Sequence, residues 1–299
     1  MPRSTSWKTW LFLCGSLALA GLALGLSRHL APEPREVTTQ SDRAYALYIA
    51  GVDAHERYCI QDAMEYWRMA AEADSGFAAA WTRLADSAYM LRHPREAKAF
   101  LARAEAHREG LSRRETLELD RVAARIAGNL GRAAALDSLV AIEFPHDSEV
   151  RLRAIERILD HDPATAAELC RSLLADFPTQ GRAYNLLGYA LLDLEAWEES
   201  LEAFQKYVFL NPDQPNPQDS LGEMYLRLGR YDEATAAFHR ALALDRRFNW
   251  TRMHQIMLEL ERGAVEAAAT LAESPEVRLS DPLLKGFWDN LRFEILMRQ

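Results

Sequence analysis

The sequence predicts an all-α fold. It reads as a right-handed α-solenoid of about six stacked helical hairpins, with one apolar helix before it and capping helices after it. Three observations predict this. The stretch Tyr184-Asn185-Leu186-Leu187-Gly188 returns 34 residues later as Gln218-Asp219-Ser220-Leu221-Gly222. Within that repeat, small residues recur at two fixed places (Gly188 over Gly222, Ser200 over Ala234) with large apolar ones between them. Prolines follow Phe144, Phe177 and Asn211, where the second helices of hairpins have to stop. A proline lacks the amide proton and pushes the residue before it out of the helical region.

From the N-terminus, the first element is residues 1–29. Trp10 to Leu26 is an uncharged run of 17 residues, preceded by Arg3 and Lys8 and followed by Arg28 and His29. That length sits at the lower edge of the roughly 17–25 residues that cross a bilayer and above the roughly 7–15 of a signal-peptide core. The expectation is an uncleaved signal-anchor or transmembrane segment, with Trp7 and Trp10 at the interface. Ala23-Leu24-Gly25 keeps a cleaved secretory signal open as the alternative. A short basic N-terminus held in the cytoplasm puts the repeats on the other side of the membrane. The Ala-, Arg-, Leu- and Glu-rich composition points to a bacterium, so that side is the periplasm. Residues 30–42 are polar and carry prolines, and read as a linker.

The hairpins come next, in order. Units 44–77 and 78–111 carry Leu47, Gly51, Ala63, Trp67 and Ala70, then Trp81, Leu84, Ala85, Ala97, Leu101 and Ala104, at the repeat positions. Units 114–147 and 148–180 keep a helical period (Leu117, Val122, Ile126, Leu136, Leu139) but blur the small-residue pattern. Units 181–214 and 215–248 are the clearest pair. Two antiparallel helices approach closely only where side chains are small, so Gly188 and Gly222 on the first helix face the second. No hairpin buries its apolar face alone, so neighbours must stack. Residues 249–299 then read as the C-terminal cap. Trp250 to Glu261 is one helix ended by Gly263. Pro282 to Arg298 is another, with Leu284, Trp288, Leu291 and Ile295 on one stripe.

Leu221-Gly222-Glu223-Met224-Tyr225 followed by Leu228-Gly229-Arg230-Tyr231-Asp232-Glu233-Ala234 resembles the tetratricopeptide repeat family closely. The resemblance implies an inner surface, lined by the first helix of each hairpin, that holds a peptide or helix of a partner protein. Carried over position by position, the candidate binding residues are Tyr45, Tyr48, Val52 and His55, then Thr82, Asp86 and Tyr89. Arg182, Asn185, Tyr189 and Leu192 come after them, and then Asn216, Asp219, Glu223 and Arg227. Family members that grip a C-terminal carboxylate use Lys, Asn and Arg at corresponding places. Here Tyr48, Val52, Thr82, Asp86, Asp219 and Glu223 stand there, so that clamp is not reproduced. An acidic and aromatic lining implies a partner segment with basic or apolar anchors.

Composition narrows the function class. The net charge is −9, and residues 1–43 hold five basic and three acidic residues (+2), leaving −11 for residues 44–299. A phosphate backbone requires a basic footprint, so nucleic acid is excluded as a partner. Cys14, Cys59 and Cys170 have no paired spacing and build no disulfide framework. No phosphate-cradling glycine loop, HExxH or nucleophile elbow is present, so no catalytic residue and no cofactor is assigned. His55 and Cys59 share a helix face, but zinc needs two further ligands, so no metal site is assigned either. The resulting expectation is a non-catalytic scaffold or adaptor tethered to a membrane. A ligand-sensing regulatory module and an assembly factor for an envelope complex are the alternatives. Oligomeric state is open at the level of sequence.

Overall fold

The structure is a computed structural model that describes residues 37–274 and 285–298, and among these every regular element is a helix. Six hairpins succeed one another: α1 (Asp42–Glu56) with α2 (Ile60–Ala73), α3 (Ala78–Met90) with α4 (Pro94–Ala106), and α5 (Arg113–Ile126) with α6 (Leu130–Glu143). Next come α7 (Ser148–Ile158) with α8 (Pro163–Asp176), α9 (Gly181–Asp193) with α10 (Trp197–Leu210), and α11 (Pro215–Arg227) with α12 (Tyr231–Leu244). A seventh pair, α13 (Asn249–Glu261) and α14 (Val265–Ala272), precedes α15 (Lys285–Arg298). First helices touch the first helices of neighbouring hairpins and so line the inner side of the stack.

Local chemistry sets the helix ends. Ser41 Oγ accepts from the Ala44 amide at the start of α1. Ser112 and Glu115 cap each other's backbone amides at the start of α5, which satisfies two of the donors a helix N-terminus leaves open. Asp147 and Asp162 accept from backbone amides at the starts of α7 and α8. Pro94, Pro163 and Pro215 stand in the first turn, where the missing amide proton is not needed. Within hairpins the turn repeats one conformation. Gly128, Gly229 and Gly263 have φ of 74°, 70° and 75°. Tyr58, Arg92 and Glu195 hold the equivalent turns at φ 62°, 59° and 58°.

The small residues do what their spacing implies. A Cβ added to Gly51 would lie 2.4 Å from Trp67 Nε1, one on Gly188 2.7 Å from Phe204, and one on Gly222 2.5 Å from Phe238. In each case the ring comes from the second helix 16 residues on, and it lies where a side chain on the first helix would be. Ala85 and Leu101 hold these positions in the second hairpin, where a smaller partner tolerates a methyl. Ser200, fully buried, also donates to the Gly188 carbonyl at 2.8 Å. Trp67, Phe204 and Phe238 are buried to within about 1%. Each ring withdrawn from water stabilises the stack by about 1.5–3 kcal/mol.

Three expectations need correction. The apolar run Trp10 to Leu26 lies outside the described residues. Among the described residues no helix is long and apolar enough to cross a membrane. The described residues therefore give no support to the assignment of a single-pass, membrane-anchored array facing the periplasm. Of the expected linker 30–42, residues 30–36 lie outside the described residues, and two of those that follow are tied to the array. Thr38 donates through its amide and hydroxyl to Glu115 at 2.7 and 2.6 Å, and Thr39 Oγ1 donates to Asp74 at 2.6 Å. Finally, residues 249–299 are more than a cap. Gly263 lies the same 34 residues beyond Gly229, and α13 and α14 form a further hairpin in the same period. Trp288, Leu291 and Ile295 of α15 cover its apolar side with Ile256, Leu260 and Ala268. Leu284 of the expected stripe lies outside the described residues.

Candidate functional site

The inner face is built by a polar ladder whose rungs join one first helix to the next. An offset of 35 residues recurs along it. Tyr48 Oη accepts from Arg83, Asp86 from Arg121, Glu118 from Arg153, and Glu149 from Arg114. At the far end His254 Nδ1 meets Asp219 at 3.0 Å, again 35 residues apart, and Tyr189 Oη donates to Glu223 at 3.0 Å across 34. The offset has a geometric cause. The equivalent turns at Tyr58 and Arg92, and at Gly229 and Gly263, lie 34 residues apart and those at Arg92 and Gly128 36 apart, so each rung joins near-equivalent positions of adjacent first helices.

The centre of the ladder is strongly charged and internally matched. Arg83 reaches Glu149 at 2.6 Å, and Arg125 reaches Asp86 at 2.5 Å. Arg121, with a side chain only 6% exposed, bridges Asp86, Glu118 and Asp137. Burial works to raise the Asp86 carboxyl, but Arg121 and Arg125 hold it below its ordinary range. The same balance applies to Glu149, which burial would raise and Arg83, Arg153 and Arg114 keep well below. These are mutually satisfied ions, and removing one member strands another.

At α11 and α13 the ladder turns on a histidine. Burial works against its charge, but Asp219 and then Glu223 raise the His254 imidazole to about 9. Its second nitrogen lies 3.6 Å from Glu223. Its ring stacks on Phe238 at 5.8 Å. His55 shows the opposite behaviour: burial, then Arg83 and Arg182, lower it to about 4.

The candidate residues from the sequence divide by what they already hold. Tyr48, Asp86, Tyr189, Asp219 and Glu223 are rungs. Thr82 Oγ1 donates to the Ala78 carbonyl of its own helix, and Asn216 Nδ2 donates to Tyr207 Oη. Tyr89 lies under the Arg125 guanidinium at 5.2 Å. Leu192 is buried in a cluster with Phe204, Leu221 and Met224. Arg182 donates to Glu156 at 2.5 Å, and Arg227 lies 3.6 Å from Glu223 with its side chain 56% exposed. Tyr45 and Val52 are half-buried on α1. The acidic lining is therefore matched by the chain's own cations, most of them on neighbouring first helices. The glutamates and arginines at 114, 118, 121, 149 and 153 sit in the two blurred repeats, where the repeat register gives no signal that finds them.

Asn185 stands apart. It is 3% exposed, and its Nδ2 donates to Tyr58 Oη at 3.5 Å, from a residue 127 positions away. Its Oδ1 and the Arg182 Nε are buried without a hydrogen-bond partner. Tyr58 belongs to the turn between α1 and α2, so the first hairpin folds back against the fifth. Asp62, one turn further on, pairs with Arg247 at 2.9 and 3.2 Å across 185 residues. The array closes on itself. Among the described residues no group of three or more His, Cys, Asp or Glu side chains is placed to hold a metal ion.

Residues 218–248 match the family model of the tetratricopeptide repeat. A stretch of 93 residues is 34% identical to Superkiller protein 3 of Schizosaccharomyces pombe (strain 972 / ATCC 24843). It makes up 31% of this chain and spans 7% of that protein's length. Among solved structures, the chain is similar to a tetratricopeptide repeat protein from Parabacteroides merdae ATCC 43184. That likeness has a TM-score of 0.55 at 15% identity, and covers 86% of this chain and 100% of that one. It is also similar to MamA, at 18% identity and a TM-score of 0.41, over 57% of this chain and 96% of that one. The matched repeat at 218–248 and the fold shared with the Parabacteroides protein support the tetratricopeptide reading. Repeats of this kind are protein-interaction modules.

Proposed function

We propose that this chain is a non-catalytic interaction scaffold that holds a segment of a partner protein against its inner face, at α9 and α11. The observation that carries the reading is Asn185 with Arg182. A buried amide oxygen and a buried guanidinium N–H without partners are a cost that a folded protein seldom leaves standing. A polypeptide main chain supplies both missing groups, an N–H for Asn185 Oδ1 and a C=O for Arg182 Nε. Tyr45, Tyr89, Asn216 and Arg227 extend the surface on either side. Apolar anchors of the partner pack on the tyrosines. Basic anchors have less to meet, since Asp86, Asp219 and Glu223 already face Arg121, Arg125 and His254.

The test is crosslinking in intact cells, then affinity purification and mass spectrometry, with wild type beside Asn185→Ala with Arg227→Glu. Arg227 is chosen because it is exposed, whereas reversing Glu223 would break the His254 network. A partner crosslinked to α9 or α11 in wild type and lost in the variant is the expected result. A partner that the variant retains removes the inner face from consideration.

A further inference from the structure

We propose that the turn between α1 and α2 is a built-in latch: Tyr58 occupies the seat at Asn185 and Arg182 that a partner's main chain takes, and the array must open to receive it. The proposal rests on the groove reading above and adds its regulation.

Four observations carry it. The contacts of Tyr58 and Asp62 with Asn185 and Arg247 join residues 127 and 185 apart, whereas the 34- and 35-residue rungs join neighbouring hairpins and Arg83 with Glu149 spans only from the second to the fourth. The stack is complete without them. Second, Tyr58 stands at φ 62° in the left-handed turn that Arg92 and Glu195 also adopt in their hairpins, so the turn itself presents the phenol at this place.

Third, the fit is incomplete. A separation of 3.5 Å is the long limit of a hydrogen bond. The phenol leaves Asn185 Oδ1 and Arg182 Nε unsatisfied. The phenol oxygen accepts from Asn185 Nδ2 while its own O–H leaves Asn185 Oδ1 unpaired, where a peptide unit brings an N–H and a C=O on separate atoms. Fourth, the tie that holds the ring shut is weak. Asp62 and Arg247 form a forked pair, but the Arg247 side chain is 72% exposed. Pairs of that kind contribute little and weaken with salt. A loosely seated residue held by a surface ion pair is a contact that a better ligand displaces.

The experiment uses the full chain and four variants: Tyr58→Gly, which suits the turn; Arg247→Asp; Asp62→Arg; and the charge swap Asp62→Arg with Arg247→Asp. Circular dichroism establishes that each is folded. Small-angle X-ray scattering reads the radius of gyration, and a phage-displayed random dodecapeptide library is the binding probe. Expected are a larger radius for Tyr58→Gly and for either single charge change, and return to the wild-type radius in the swap. Peptides selected on Tyr58→Gly should bind wild type about tenfold more weakly, as for a site open a tenth of the time. They should lose binding when Asn185→Ala is added. Either single charge variant suffices if the other does not fold. An unchanged radius overturns the latch. A larger radius with equal peptide affinity also overturns it, while leaving the groove reading intact. Peptides that bind no variant overturn both.

Discussion

Replacing His254 with Gln tests the electrostatic ladder at its most sensitive rung. Asp219, 3% exposed on its side chain, and Glu223 hold the imidazole charged and raise it from 6.5 to about 9. The imidazole is 12% exposed, so solvent screens the pair little. A rise of that size couples protonation to folding by roughly 3 kcal/mol. The folded form binds the proton more tightly than the unfolded chain. This stability is therefore fully present below pH 6.5 and is lost as pH rises through about 9. Urea unfolding of wild type and His254→Gln at intervals between about pH 6 and 9.5 measures the difference. Wild type should be more stable by roughly 3 kcal/mol at the acid end, and the gap should close by the alkaline end. A proton titration of the His254 ring monitored by NMR gives the midpoint directly. A gap that stays constant across the range, or a ring titrating near 6.5, would refute the reasoning.

His55 predicts the opposite limb. Its imidazole is lowered to about 4, so its contribution is complete above pH 6.5 and lost as pH falls toward 4; His55→Gln should flatten that acid limb in the same unfolding series. Gly222→Ala drives a methyl to 2.5 Å from Phe238 and should destabilise by about 1–3 kcal/mol. Adding Phe238→Leu, the pairing type of Ala85 with Leu101, should recover most of that loss in thermal melts. Asp86→Ala removes the carboxylate that Arg121 and Arg125 share, leaving Arg121 with Glu118 and Asp137, and should cost about 1–3 kcal/mol. A second change, Arg121→Met, should restore much of it, and a loss that simply adds would argue against the buried pairing. Ser200→Ala removes the bond to the Gly188 carbonyl and should cost about 1 kcal/mol by denaturant unfolding.

The helices and their order are legible in the chain, because hairpin packing is a local problem. Gly51 before Trp67, Gly188 before Phe204 and Gly222 before Phe238 state in sequence which helices meet and how closely. The stops at Phe144-Pro145 and Phe177-Pro178 place the blurred repeats for the same reason. The seventh hairpin is also signalled, by Gly263 at the repeat distance from Gly229, but its short α14 carries too weak a pattern to stand out.

The inner face is legible only in part. Its residues are identified by repeat position, which tells what lines a surface but not what those side chains touch. Asp86 and Asp219 read as acidic recognition groups, and the fold gives them to Arg121, Arg125 and His254. That pairing depends on which side chains of adjacent helices meet across the stack, here residues 35 apart. Closure of the array is not legible at all. It depends on how every intervening hairpin stacks on the next before Tyr58 meets Asn185 and Asp62 meets Arg247. The sequence by itself determined the unit, its packing and its repetition, since these act between neighbouring helices. Only the tertiary structure decided where the first hairpin meets the fifth and the turn after the sixth, because that distance is the sum of every interface between them.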